Sequence, residues 1–157
     1  LLLVRKLATA RQPEFAIGAV AMVGDHLTTI ANPSLRTMRS PSSTEFDRAL
    51  RRESAVLRQR AADYRRFRSA RPLAGRSLVL VDDGMATGVT MRAAVAATPG
   101  TAVVAVPVAS AEACRSLLEA GATVVCPWPR DDFGAVSMYY ERFEQLSDQD
   151  VHRLLQQ

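Results

Sequence analysis

The chain is short of several residue types, and each shortage narrows what it does. Two of its 157 residues are cysteines, Cys114 and Cys126, in different elements, with no Cys-x-x-Cys pair and no histidine beside either. Metal binding and a disulfide framework are therefore not expected, and both thiols read as buried apolar residues of a cytoplasmic protein. No apolar run approaches the ~20 residues that cross a bilayer. Leu1-Leu2-Leu3-Val4 is too short for a signal-peptide core and runs straight into Arg5-Lys6. Gly-x-Gly-x-x-Gly and Gly-Lys-Ser/Thr are both missing, which argues against a dinucleotide fold and a nucleoside-triphosphate loop. Lysine is the rarest charge: all 20 basic residues are arginine except Lys6.

What is present suffices for a folded unit. With 48% apolar residues, a chain of this length buries a real core as one domain, residues 1–157. The most informative stretch is Leu78-Val79-Leu80-Val81-Asp82-Asp83-Gly84-Met85-Ala86-Thr87-Gly88-Val89-Thr90. Four apolar residues bounded by turn residues predict a buried strand of a parallel sheet. Asp82 and Asp83 then fall at the carboxyl end of that strand, where open α/β sheets bind ligands. Ala86, Thr87, Gly88, Val89 and Thr90 follow as a small-residue turn opening a helix. Unpaired amides, two hydroxyls and the helix dipole favour an anion there, such as a phosphate monoester. Two acids beside a phosphate cradle suit a sugar phosphate.

This constellation resembles the 5-phosphoribosyl 1-diphosphate (PRPP) motif of the type I phosphoribosyltransferases. Their pattern is four apolar residues, two acids, two apolar residues and a small-Thr-Gly-x-Thr turn. The match runs through Leu78 to Val81, Asp82, Asp83, Met85, Ala86, Thr87, Gly88 and Thr90, and departs at Gly84, where the common pattern has an aliphatic residue. Asp-Asp-Gly-x-Ala-Thr-Gly looks more like a branch of predicted phosphoribosyltransferases. The resemblance implies an α/β fold of three layers around a parallel sheet, with a flap hairpin, a long inserted helix and a small C-terminal hood over residues 127–157.

The resemblance also implies a chemistry. Such a glycosyltransferase moves the 5-phosphoribosyl group of PRPP to a nitrogenous base or related nitrogen acceptor, releasing pyrophosphate and inverting C1. Mg²⁺ would arrive with PRPP. Asp82 and Asp83 would be the catalytic carboxylates, accepting from the ribose hydroxyls and favouring a cationic ring. The turn Ala86 to Thr90 would hold the 5-phosphate. Arg5 and Lys6 would serve the diphosphate and flap side, and Trp128 and Phe133 would contact the base. Ala86, where 6-oxopurine enzymes carry Asp, and the lack of a hood lysine argue against hypoxanthine or guanine. The family's pyrophosphate loop follows an earlier strand that has no counterpart here, so an N-terminal part is expected to be missing from this numbering. A homodimer is expected by family analogy, with no membrane partner.

The rest of the chain fits around the motif. Leu1 to Val4 predicts a strand ending at Arg5-Lys6, followed by a polar loop from Leu7 to Glu14. Phe15 to Val23, a Gly24-Asp25-His26 turn and Leu27 to Ile30 predict the flap hairpin. Asn32 to Pro41 reads as a loop. Ser42 or Ser43 then caps a helix from about Thr44 to Arg68. Phe46, Ala49, Leu50, Val56, Leu57, Ala61, Tyr64 and Phe67 form its core face, and arginines from Arg48 to Arg68 its outer face. Interleaved Glu45, Asp47, Glu53 and Asp63 favour a solvated, salt-bridged surface over a nucleic-acid footprint. That basic face supports the alternative function, a non-catalytic PRPP-sensing regulator that binds nucleic acid or a protein partner. After the loop Pro72 to Gly75 and the motif strand come a helix over 89–97, a strand over 101–106 ended by Pro107, a Ser110-capped helix to Ala120, and a strand over 122–126. This alternation predicts right-handed βαβ units. Ser147-Asp148-Gln149-Asp150 then caps a terminal helix over 151–155.

Overall fold

A computed structural model of the chain describes residues 2–32, 42–66, 73, 75–144 and 146–155. Leu1, residues 33–41 of the expected loop, Phe67 and Arg68 of the expected helix, and Pro72 and Ala74 before the motif lie outside the described residues.

The N-terminal third is an antiparallel sheet in the order β1 (Leu2–Thr9), β2 (Gln12–Val23), β3 (His26–Ala31). β1 is longer than its sequence suggests. It passes through Arg5 and Lys6, bulges after Leu7 and after Ala8, and turns only at Ala10-Arg11. Val23 pairs with His26 across a two-residue Gly24–Asp25 turn, so His26 belongs to β3 and not to the tip. The expected flap hairpin is anchored along β2, while β3 is more exposed. Both faces of β2 are apolar and covered: Val20 and Met22, with Leu7 of β1, pack on α1 (Ser43–Arg65), while Ala19 and Ala21 pack on Val89 and Ala93 of α2 (Val89–Ala97). Methyl-sized side chains on both surfaces let α2 lie close to the strands.

The helix α1 opens with a capping box. Ser42 Oγ accepts from the Glu45 amide at 3.3 Å, and the Glu45 carboxylate accepts from the Ser42 amide at 3.1 Å. Its buried face carries Ala49, Leu57, Ala61 and Tyr64 as expected, together with Glu53 and Ser54. Arg65, at the far end, donates to the Gly24 carbonyl and to Asp25, each at 2.9 Å. Ion pairs from this helix thus reach back to the sheet it covers.

The second sheet is parallel, in the order β4 (Leu78–Val81), β5 (Ala102–Ala105), β7 (Thr123–Val125). One face packs Leu80, Val104 and Val124 against α2 and α3 (Ala111–Glu119). The other face is bare, which corrects the expectation of a fully buried motif strand: Val79 is 59% and Val81 75% exposed. The layered parallel sheet expected around the motif is therefore a mixed α/β arrangement, with an antiparallel sheet and a parallel one sharing α2. Among the described residues β1 pairs only with β2, and β4 only with β5. Their open edges border a groove of about 270 Å³ lined by Leu2, Val4, Val79, Val81, Asp82 and Thr90, among others.

Two short strands lie beyond the sequence reading. Proline, lacking an N–H, interrupts β5 at Pro107 and β7 at Pro127, and each strand resumes past the kink as β6 (Val108–Ser110) and β8 (Trp128–Arg130). The Trp128 amide donates to the Pro107 carbonyl at 3.2 Å, holding the two kinks side by side. A single 3₁₀ turn over 136–139 and α4 (Asp148–Leu155) complete the C-terminal part.

Glu53 is the charge on which the α1–β1 contact turns. It is 6% exposed and accepts from Arg5 and Arg52, each at 2.9 Å, while Arg52 also donates to the Ala8 carbonyl. Burial alone would raise its carboxyl, but the bonds and charges of Arg52 and Arg5 outweigh this and hold it below the ordinary 4.5. A depressed folded value stabilises the protein above the ordinary value, and that stabilisation is lost as pH falls through the folded one. Glu53→Gln is expected to cost about 1–3 kcal/mol at neutral pH. Urea unfolding on either side of pH 4.5 should show the gap to wild type narrowing on the acid side.

Candidate active site

β4 delivers the two aspartates and then stops pairing. The Asp82 amide still reaches the Ala105 carbonyl at 3.4 Å, after which the chain turns outward through Asp83 and Gly84. It is caught again at Met85, which is 3% exposed and forms a parallel bridge to Ala109. The Met85 amide donates to Val108 O at 3.1 Å, and the Ser110 amide donates to Met85 O at 2.9 Å. Ser110 Oγ then donates to Ala86 O at 2.6 Å while accepting from the Ala113 amide at 3.0 Å. One hydroxyl therefore caps α3 and holds the motif turn. Beyond it, Ala86 and Thr87 are exposed, and Gly88 begins α2 at φ 67° with no side-chain cap. A helix start so built leaves its first amides for a ligand or water.

Both glycines of the turn are required by their surroundings. At Gly88 the left-handed backbone is joined by crowding, since a Cβ would lie 3.1 Å from that of Ala113. At Gly84 a Cβ would lie 2.8 Å from Val136 and 3.0 Å from the Val108 carbonyl. The aliphatic residue of the common pattern has no room here because the 3₁₀ turn of the C-terminal segment presses on this position.

The two carboxylates differ. Asp82 Oδ1 accepts from the Asp83 amide at 3.0 Å. Desolvation at the strand end is the main cause that raises the Asp82 carboxyl above its ordinary 3.8; the Asp83 amide opposes it, and the Asp83 charge adds to it. The Asp83 carbonyl accepts from Tyr140 Oη at 2.6 Å, so the C-terminal segment is bonded directly to the motif.

The expected site residues separate into two groups. Asp82 and Thr90 open onto the groove beside β1. Ala86 and Thr87 open onto a second cavity of about 370 Å³, closed by Ser110, Arg115 and the segment Arg130, Asp131, Phe133 and Gly134. Phe133 thus faces the motif, with its ring stacked on Tyr139 at 5.2 Å. Trp128 does not line this cavity; it is 65% exposed on β8. Arg5 and Lys6 are split by strand alternation. Arg5 turns to Glu53 on α1, away from the motif, whereas Lys6 falls on the exposed alternate position that follows Leu2 and Val4. Val89 is buried in the core, so it offers the turn only its backbone. Ser110 is legible as a helix cap and Tyr140 as one of the C-terminal aromatics, but their bonds to Ala86 and Asp83 are not, since nothing in the local sequence signals a contact across 24 or 57 positions.

No family model matches the chain. The crystal structure of TT1426 from Thermus thermophilus superposes with a TM-score of 0.72 at 42% identity, covering 99% of this chain and 74% of that one. The chain belongs to the family of this Thermus protein. "Putative phosphoribosyl transferase MT0597" and "Putative phosphoribosyl transferase Rv0571c", from the CDC 1551 / Oshkosh and ATCC 25618 / H37Rv strains of Mycobacterium tuberculosis, are each 36% identical over 154 residues, 96% of this chain. These homologues support a phosphoribosyltransferase family. The chain spans about a third of their length, 34%. Among the described residues no helix is long and apolar enough to cross a membrane.

Two outcomes are expected for variants of this turn. Gly88→Ala should lose about 1–2 kcal/mol in urea unfolding, from left-handed strain alone, with the Ala113 contact adding to it. Asp82→Asn should do the opposite. A carboxyl whose folded value is raised destabilises the fold once ionised, so the variant should melt above wild type at neutral pH. The difference should vanish as the pH drops below the ordinary aspartate value of 3.8.

Proposed function

We propose that the chain binds PRPP and transfers its 5-phosphoribosyl group to a nitrogen acceptor. One observation carries the reading: two adjacent carboxylates end a parallel strand, and a helix start without a side-chain cap stands beside them. The backbone amides of the turn Ala86 to Thr90 take the 5-phosphate and anchor the sugar remote from the bond that breaks. Asp82 and Asp83 accept from the ribose hydroxyls, and their charge favours the oxocarbenium-like ring of the transition state. The C1–O bond to pyrophosphate breaks, a C1–N bond forms on the opposite face, and the proton displaced from the acceptor nitrogen leaves to solvent. The acceptor enters the cavity between Ala86–Thr87 and Phe133, whose ring offers a stacking surface to a heterocycle.

The residues suit a metal ion that travels with the substrate. Among the described residues no three His, Cys, Asp or Glu side chains are grouped to hold one, yet the Asp82–Asp83 pair offers hard oxygen to an ion that keeps most of its waters. Mg²⁺ bound to PRPP supplies neutralisation of the departing diphosphate. The diphosphate end of PRPP falls toward the groove between β1 and β4, on the face that carries Lys6.

A second reading rests on the exposed stripe Arg48, Arg51 and Arg58 along α1: a PRPP-sensing regulator whose helix contacts nucleic acid. Calorimetric titration with ribose 5-phosphate and with Mg²⁺-PRPP tests the shared premise. Both ligands should bind, PRPP more tightly, and the double variant Asp82→Asn/Asp83→Asn should weaken PRPP by about tenfold or more, ~1.4 kcal/mol per decade. Failure of the folded wild type to bind either ligand overturns the proposal. Pyrophosphate release in a screen of nitrogen bases favours the enzyme, and a PRPP-dependent nucleic-acid mobility shift favours the regulator.

A further inference from the structure

The far end of β1 carries a cavity that the candidate site does not use. Where β1 turns into β2, Thr9, Ala10 and Arg11 meet Glu45, Arg48 and Arg52 of α1 around a space of about 150 Å³. Three guanidiniums and a single carboxylate line it. Arg52 is the fixed cation: its Nε–H donates to Glu53 at 2.9 Å, and one terminal N–H donates to the Ala8 carbonyl at 3.1 Å. A guanidinium has five N–H donors, so the others remain on a group already held in place. Arg11 and Arg48 are exposed, and among the described residues neither makes a hydrogen bond or an ion pair. The opposing charge is already engaged, since Glu45 accepts from the Ser42 amide and hydroxyl at 3.1 Å each in the cap of α1. Thr9 Oγ1 accepts from the Gln12 amide at 3.2 Å, which leaves its own proton to donate.

We propose that this cavity binds a phosphate or diphosphate group, at a site separate from the turn Ala86 to Thr90. Planar guanidiniums meet phosphoryl oxygens through paired bonds, and such charge-assisted bonds are roughly twice as strong as neutral ones. Size selects the ligand. Pockets that enclose a drug-sized molecule begin at ~300 Å³; a cavity of about 150 Å³ takes one anionic group and leaves whatever bears it in solvent. No residue is shared with either cavity at the motif. The site lies at the opposite end of β1 from Leu2 and Val4, which border Asp82. At ~3.3 Å per residue the strand separates the two by about 20 Å. An anion held between Arg11 on one side and Arg48 and Arg52 on the other bridges the β1–β2 turn to α1. It reinforces from outside the contact that Glu53 makes from within, and ties the stability of that contact to phosphate concentration.

Nuclear magnetic resonance titration of the isotope-labelled protein with inorganic phosphate and with pyrophosphate, against sodium chloride over the same range of ionic strength, tests this. The amides of Thr9 to Arg11 and of Glu45 to Ala49, together with the Arg52 Nε–H, should shift in concert and saturate. Arg11→Gln/Arg48→Gln should raise the saturating concentration about tenfold, while any shifts at Ala86 to Thr90 stay as in wild type. Both arginines are exposed, and an unchanged remainder of the spectrum certifies the fold of the variant. Ribose 5-phosphate as a further titrant separates the sources: saturation as ready as with phosphate assigns the site to an esterified group, and weaker saturation assigns it to the free ion. Shifts that chloride reproduces, or that never saturate, overturn the proposal. So do shifts confined to Ala86 to Thr90, and saturable shifts at Thr9 to Arg11 that persist unaltered in the variant.

Discussion

The candidate site hangs on a short piece of parallel pairing. Met85 is buried in the apolar core and bonded on both sides of its peptide to Val108 and Ser110. That pairing makes the chain leave the sheet at Asp82 and return to it three residues later. The acids must protrude because the ends of the excursion are fixed. The Ser110 hydroxyl extends the same constraint to Ala86 and to the first turn of α3. Without this clamp the turn before α2 would be an ordinary solvated loop, and its amides would have no common direction. A site whose geometry is set by backbone bonds to a buried strand is held more closely than one set by exposed side chains.

The C-terminal segment is part of the same construction. Val136 sits on the only kind of residue that gives it room, at Gly84, and Tyr140 reaches the Asp83 carbonyl. Phe133 is thereby brought over Ala86 and Thr87 with Tyr139 behind its ring. Gly84, a departure from the family pattern, is intelligible as a fit to this neighbour. Substrate elements that would meet the phosphate turn and those that would meet Phe133 are thus registered to each other by two contacts with the backbone at 83 and 84.

How much of this could be read beforehand depended on the range of the interaction. The motif strand and the helix over 89–97 came out at their observed bounds, because their signals are local: a short apolar run, two acids, a glycine at a helix start. Ser110 is legible as a cap for the same reason, and so is a cap at Ser42 or Ser43, which the structure settles as Ser42. Strand pairing past a proline was not, so β6 and β8 were missed. Arg5 and Lys6 read as the end of a strand that in fact continues to Thr9, since bulges after Leu7 and Ala8 carry the pairing past two adjacent buried residues, a break in the alternation that looks like a loop. The hairpin reads as a flap because nothing local reports that α1 and α2 cover β2 from both sides. Tyr140 and Arg115 owe their positions to packing between distant segments, which leaves no mark on the neighbouring sequence.

The bare edge and face of β4 bear on how these 157 residues behave in solution. Among the described residues β4 is paired on one edge only, and with exposed Val79 and Val81 its other edge offers a row of amides and carbonyls as a template for other polypeptide. β1 offers a second such row across the groove. Covered, these edges would be ordinary interior strands; uncovered, they invite self-association between molecules, strand against strand. Preparations of this chain by itself should be handled as those of a protein with an aggregation-prone edge: dilute, cold, and checked for dispersity before any affinity is read from them.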